Sequence, residues 1–246
     1  MPAVFDIKEL RNTLENGSLG DVMHVMYRVA KENRIQYAEG LAVQPEWRKM
    51  HPEFFRYNVL QFLRGMDDCA ALYPMPEHLR PTQLVIYNDP TENAQDAANG
   101  SVTRAAYSPS TNQVAISTIG LVDVAREWNV FRNILGPHES SVKAIIKSAH
   151  YKSGAHEQKH CNQRHTRTAW FFAEIKRMLD KKVDYIDAGH EVDARDSADK
   201  TFEKNESKLP DFTGSAYIAH EWLPESIPES GQLPRLRDVI AAGRSR

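Results

Sequence analysis

The run His156-Glu157-Gln158-Lys159-His160 restricts the fold of this chain more than any other feature. Its two histidines reach the same side only if the segment is an α-helix, where residues four apart stand one above the other. The flanking sequence has that pattern. Glu139 to about Arg164 reads as one helix, opened by a His-Glu-Ser-Ser cluster that can cap it. Ile145, Ala149, Lys152 or Ser153, His156 and His160 follow one stripe, so the imidazoles continue the line that begins as the buried face.

That arrangement suits a metal ion, and zinc is its natural guest. Glu157 stands beside the first histidine, placed to reach a water rather than the metal. A general base is needed there. A zinc ion lowers the pKa of a bound water and polarises a carbonyl, while the glutamate takes the proton and later hands it to a leaving amine. Five of the ten histidines lie between positions 138 and 165, and this clustering marks the region for chemistry.

A catalytic zinc keeps three protein ligands and one open position, so another element must supply the third. The spacing HExxHxxGxxH fails, because Gln163 and Thr166 stand where it needs glycine and histidine. Downstream, Gly189 to Phe202 reads as a helix with Glu191, Ala194, Ala198 and Phe202 on one side. Small residues there allow close approach to the His156/His160 helix and leave the glutamate aimed at the metal. Glu191 is the favoured third ligand. Asp193 and His190 are the alternatives, and Glu191 could instead be only a first-turn acid favoured by the helix dipole.

The rest of the chain supplies a frame. Residues 6–16, 20–45 and 52–72 show helical spacing, so positions 1–80 form an N-terminal helical layer. After the proline-rich stretch Tyr73–Pro81, Thr82–Asn88 is a compact apolar, β-branched run of the kind that makes a buried strand. Residues 89–101 read as an exposed loop. Val102–Tyr107 and Gln113–Thr118 flank SPSTN, a hairpin with a five-residue connection in a small antiparallel or mixed sheet. Helical periodicity returns at Leu121 and breaks at Gly136-Pro137. Further helices are expected over 166–181 and 189–206, followed by an irregular tail across the last 35 residues.

In 246 residues there is room for a substantial core, as one continuous domain or as the helical layer plus a catalytic domain over 81–246. The net charge of −2 gives no field to gather phosphates or anionic lipid, so neither nucleic acid nor a membrane is expected as partner. No run approaches a membrane span or a signal h-region. This suits a cytoplasmic protein, or one exported by a secretion system that needs no signal peptide. Cys69 and Cys161 form neither a disulfide framework nor a CxxC clip, and Cys161 points off the ligand face.

With HEQKH at 156–160 and EVDARDSA at 191–198, the chain resembles the zincin metallopeptidases, in particular the gluzincin branch. The hairpin AYSPSTNQVAIS at 106–117 is similar to the strand pair that precedes their active helix. The likeness spans about residues 82–205. It implies an α+β zincin-like fold with a small sheet packed on the HExxH helix, one zinc on His156, His160 and Glu191, and Glu157 as base in peptide hydrolysis. It also implies a strand near Tyr107–Thr118 that receives extended substrate, a peptide or protein. Tyr217 and His220 are oxyanion-donor candidates by residue type. The sequence departs from the family where Lys159 occupies a place usually uncharged, one that can face solvent. Ser153-Gly154 stands where bulky apolar residues are usual, and Arg195 where a further aspartate is common.

Four other readings stand beside this one. Glu157-xx-His160 and the shortened Asp187-xx-His190 suggest a di-metal carboxylate bundle, though predicted strands do not belong in one. A non-catalytic binding module would use the helices as a partner surface. A bacterial effector or toxin fits the same motif as a housekeeping peptidase. Lastly, Lys159, Arg164, His165 and Arg167 could mark HEQKH as a solvated basic helix end.

Overall fold

The computed structural model describes residues 2–34, 44–88 and 102–222. The helix expected over 20–45 stops at Glu32, where Asn33 caps it and Arg34 turns left-handed at φ +55, and residues 44 and 45 open a separate helix. Residues 35–43, the loop at 89–101 and most of the irregular tail lie outside the described residues.

Strand β1 (Ala3–Asp6) leads into α1 (Ile7–Asn16), followed by α2 (Leu19–Glu32), the short α3 (Gln44–Lys49) and α4 (Pro52–Leu72). Strand β2 (Gln83–Tyr87) and the hairpin β3 (Ala105–Ser108) and β4 (Gln113–Ser117) precede α5 (Thr118–Leu135), α6 (Ser140–Thr166), α7 (Thr168–Leu179) and α8 (Gly189–Asn205). The architecture is α+β, with a four-stranded mixed sheet in the order β1-β2-β4-β3. β1 runs antiparallel to β2, β2 parallel to β4, and β4 antiparallel to β3.

The caps explain several boundaries. Asp6 accepts hydrogen bonds from the Lys8 and Glu9 amides and starts α1. Ser18 and Asp21 make a reciprocal capping box on α2. Gly136 ends α5 at φ +90, a value that glycine adopts freely and other residues avoid. The expected cap of α6 is not made: Glu139 occupies the cap position and accepts only from the Ser140 hydroxyl, with no bond to the helix amides.

Three corrections concern the sheet. The N-terminal region is not wholly helical, because β1 pairs with β2 from Ala3↔Ile86 to Asp6↔Gln83. Four residues are too few for alternation to stand out beside the helical pattern that follows. The hairpin connection is Pro109–Asn112, four residues rather than five, since β3 continues through Ser108. Asn112 takes the left-handed conformation, φ +53, that closes it. β3 itself begins at Ala105, so Val102–Arg104 lead into the strand rather than belong to it.

One buried cluster runs from Ala3 through α2, α4, the sheet and α5 to Trp222, so the helical layer and the region after residue 80 share a core. Helix α4 is its spine: Phe54, Phe55, Phe62 and Leu63 are fully buried, each worth roughly 1.5–3 kcal/mol in transfer from water. α4 crosses α6 very closely. A Cβ on Gly65 would sit 2.0 Å from the Tyr151 carbonyl oxygen, and one on Gly154 would sit 2.0 Å from that of Phe62. Gly154 is a glycine at this crossing because the Phe62 backbone lies against it. On another side of α6, Ala155 packs with Ala198 of α8 and Cys69 of α4, and Ala194 is fully buried. The small-residue face of α8 admits the close approach that the sequence suggested.

Candidate metal centre

His156 and His160 project from α6 toward Glu191 in the first turn of α8. The His156 and His160 Nε2 atoms are 2.9 Å apart. Glu191 places Oε2 3.1 Å from the first and Oε1 3.3 Å from the second. Donors bound to one tetrahedral zinc at its usual bond lengths stand about 3.3 Å from one another. These three residues form the group able to hold a metal ion among the described residues.

The hydrogen bonds behind His160 fix its tautomer. Gln163 Nε2 donates to the His190 carbonyl at 2.8 Å and to Asp193 Oδ2 at 3.0 Å, which turns its amide oxygen to His160 Nδ1 at 2.9 Å. An amide oxygen only accepts, so Nδ1 carries the proton and the neutral ring presents the Nε2 lone pair. That lone pair meets another imidazole and a carboxylate. Atoms so close are held together either by protons on the ring nitrogens or by a metal cation between them. Burial works against a charged His160, yet Glu191 and Glu157 outweigh it and hold its pKa above the usual histidine range. Burial likewise favours a neutral Glu191, but bonds from His156 and His160 dominate and hold it well below the usual carboxylate range.

The alternative ligands have other tasks. Asp193 faces Gln163 and lies 3.5 Å from Lys159 Nζ. His190 is buried, its Nε2 3.5 Å from Glu191 Oε1, where it can steady that carboxylate. Burial lowers its pKa. Glu174, not singled out in the sequence, accepts the Gly189 amide at 2.9 Å and anchors the turn that carries Glu191.

Glu157 stays out of the three-atom group. It is buried, and burial raises its pKa against the lowering by His156 and His160. The Tyr107 backbone hydrogen-bonds to it from β3. That contact follows from strand geometry. The Ser117 amide donates to the Arg104 carbonyl at 3.0 Å, so alternate residues 104, 106 and 108 face β4, and the backbone groups of Ala105 and Tyr107 face the other edge. Among the described residues β3 is the outer strand there. The open edge is thus that of β3, with β4 interior.

A cleft opens beside His156 and Glu157, walled by Val102–Ala105, by α6, by α8 and by Tyr185 and Ile186. Tyr185 stands at the rim of the cleft near Glu191; desolvation of its hydroxyl first, then the Glu191 and Glu157 charges, raise its pKa. It was not legible in the sequence. Tyr217 lies elsewhere, bridged to Met50 and near Glu46, Arg126 and Asp123, and His220 belongs to the same segment, whose Ile218 and Trp222 amides bond to the carbonyls of Lys49 and Arg48. Neither lines the cleft. They were singled out by residue type, which carries no information on position.

Two further expectations need correction. Lys159 does not face solvent: it is 4% exposed, with Nζ 3.7 Å from the centre of the Tyr73 ring. The end of α4 and its Tyr73 cap cover that side of α6. Nor is HEQKH a solvated basic helix end, because residues 157–163 are all buried. Cys161 is a buried thiol with its pKa pushed up to about 11 by burial, as expected of a non-ligand. Comparison of the chain with protein-family models, curated proteins and solved structures found no match.

Proposed function

We propose that this chain is a zinc-dependent peptidase of zincin type, with His156, His160 and Glu191 as ligands and Glu157 as general base. The observation that carries the reading is the convergence of His156 Nε2, His160 Nε2 and the Glu191 carboxylate, with Gln163 accepting from His160 Nδ1 so that the neutral ring would turn its Nε2 lone pair to an ion; the set suits zinc by chemistry and spacing. Zinc bound there would supply a Lewis acid that polarises the scissile carbonyl and makes water more acidic.

The chain's own groups account for the rest. Glu157 sits beside the ligands in a dry pocket where burial favours its protonated form. It can therefore take a proton from the attacking water and deliver it to the leaving nitrogen. The edge of β3 offers the Ala105 backbone groups, which line the cleft, to an extended peptide, while the Tyr107 backbone holds Glu157. The Tyr185 hydroxyl replaces Tyr217 and His220 as the donor that can meet negative charge developing on the carbonyl oxygen.

Elemental analysis combined with cleavage of a mixed peptide library tests this. Wild type should hold about one zinc and cut peptides. Glu157→Gln should keep the zinc and lose about a thousandfold in kcat, within the range for removing a general base. Cleavage that survives Glu157→Gln would remove the mechanism. Two metals per chain would support the di-metal reading instead.

A further inference from the structure

We infer that the cleft takes a substrate with an anionic group one or two residues from the bond presented to Glu157, and that Arg195 selects it. This rests on the peptidase reading. Three walls of the cleft each contribute a cation: Arg104 ahead of β3, Lys152 on α6 and Arg195 on α8. Two are already matched. Arg104 pairs with Asp123 at 3.0 Å and Glu127 at 3.2 Å, outside the cleft. Lys152 pairs with Asp199 at 2.8 Å.

Arg195 differs. Among the described residues no carboxylate pairs with it, and its Nη2 donates to the Ile186 carbonyl, holding the guanidinium at the turn that carries Tyr185. It follows Glu191 by four residues, on the same face of α8 and about 6 Å further along the axis. An extended peptide covers that distance in about two residues. The guanidinium fork is suited to a carboxylate, which it can bind through two parallel hydrogen bonds. Ser148, Ala149, Ser153 and Ala198 line the same cleft and are small, leaving room for a side chain or chain end beside Arg195. The carboxylate could come from an Asp or Glu side chain or from a free C-terminus.

The test uses the zinc-loaded full chain and four peptides in two pairs, internal Glu against Gln, and free C-terminal acid against C-terminal amide. Binding is measured by calorimetry on Glu157→Gln protein and cleavage on wild type. The acidic member of one pair should bind and be cut about tenfold better, the scale of one charge-assisted pair. Which pair responds identifies the carboxylate. Arg195→Gln should bring its members to within about twofold of each other, and Arg195→Lys should keep part of the preference. Equal treatment of both pairs by wild type, or a preference that survives Arg195→Gln, overturns the assignment and leaves the peptidase reading intact. A loss shared equally by acidic and neutral members also overturns it, pointing to a mere brace for Tyr185. Charge-selective binding with no cleavage does the reverse, removing the peptidase reading while Arg195 stands as an anion site.

Discussion

Helix α6 meets α4 and α8 in two different ways. Against α4 the side chains are removed: Gly65 and Gly154 let carbonyls of the opposite helix come where a Cβ would otherwise stand. Against α8 small residues bring the axes close, but the buried His160, Gln163 and Glu191 and the half-buried His156 remain between them as a polar group. The first interface is mainly apolar, with its polar groups His150 and Tyr151 bonded to Asn58 and Asp68 of α4. The second gathers His156, His160 and Glu191 into a group that could hold a metal ion. The difference teaches that α4 positions the helix and α8 gives it chemistry.

Gly154→Ala should break that division most severely. In an open helix this change stabilises by up to about 1 kcal/mol. At this crossing it should destabilise by roughly 3 kcal/mol, because the helices must separate. Thermal unfolding of the metal-free protein reads the sign, and a raised Tm would mean that the close crossing is absent. Gln163→Leu probes the other interface. It should weaken zinc binding by about 10–100-fold, the usual cost of losing a partner behind a ligating histidine. A competition titration with a chelator measures it, and unchanged affinity would show that Gln163 does not orient His160.

A third effect is graded by pH and lies on the α4 side. His150 is fully buried, its Nδ1 2.9 Å from Asn58 Oδ1, and burial, then Arg104, lower its pKa to about 3. The unfolded chain titrates near 6.5. Above that pH the neutral ring costs nothing. Below it the unfolded state takes up a proton that the folded state refuses, so stability falls by about 1.4 kcal/mol per unit toward pH 3. Unfolding curves of wild type and His150→Gln should therefore converge or cross between pH 6.5 and 4. Parallel curves would count against a neutral buried His150.

The same contrast governs what could be read in advance. Periodicity placed α4 at Pro52–Leu72 and found the small face of α8, because burial repeats along a helix. Glu191 was legible for that reason. Gln163 was noticed only where it spoiled a glycine position, and its service to His160 depends on Asp193 and the His190 carbonyl, which the fold brings in from α8. Tyr185 sits in a single turn of 3-10 helix, too short for any pattern, and reaches Glu191 only through the packing of that turn on α8. Lys159 looked solvent-facing because a charged residue usually is; the cation–π contact with Tyr73 comes from the far end of α4.

The zinc content of wild type beside that of Glu191→Ala tests the central claim most directly, because it asks whether α6 and α8 share one ion. The account predicts about one zinc per wild-type chain, a higher Tm with zinc than after chelation, and loss of both in Glu191→Ala. A wild-type chain that stays free of zinc after reconstitution, or a Glu191→Ala chain that binds it as tightly, would contradict it.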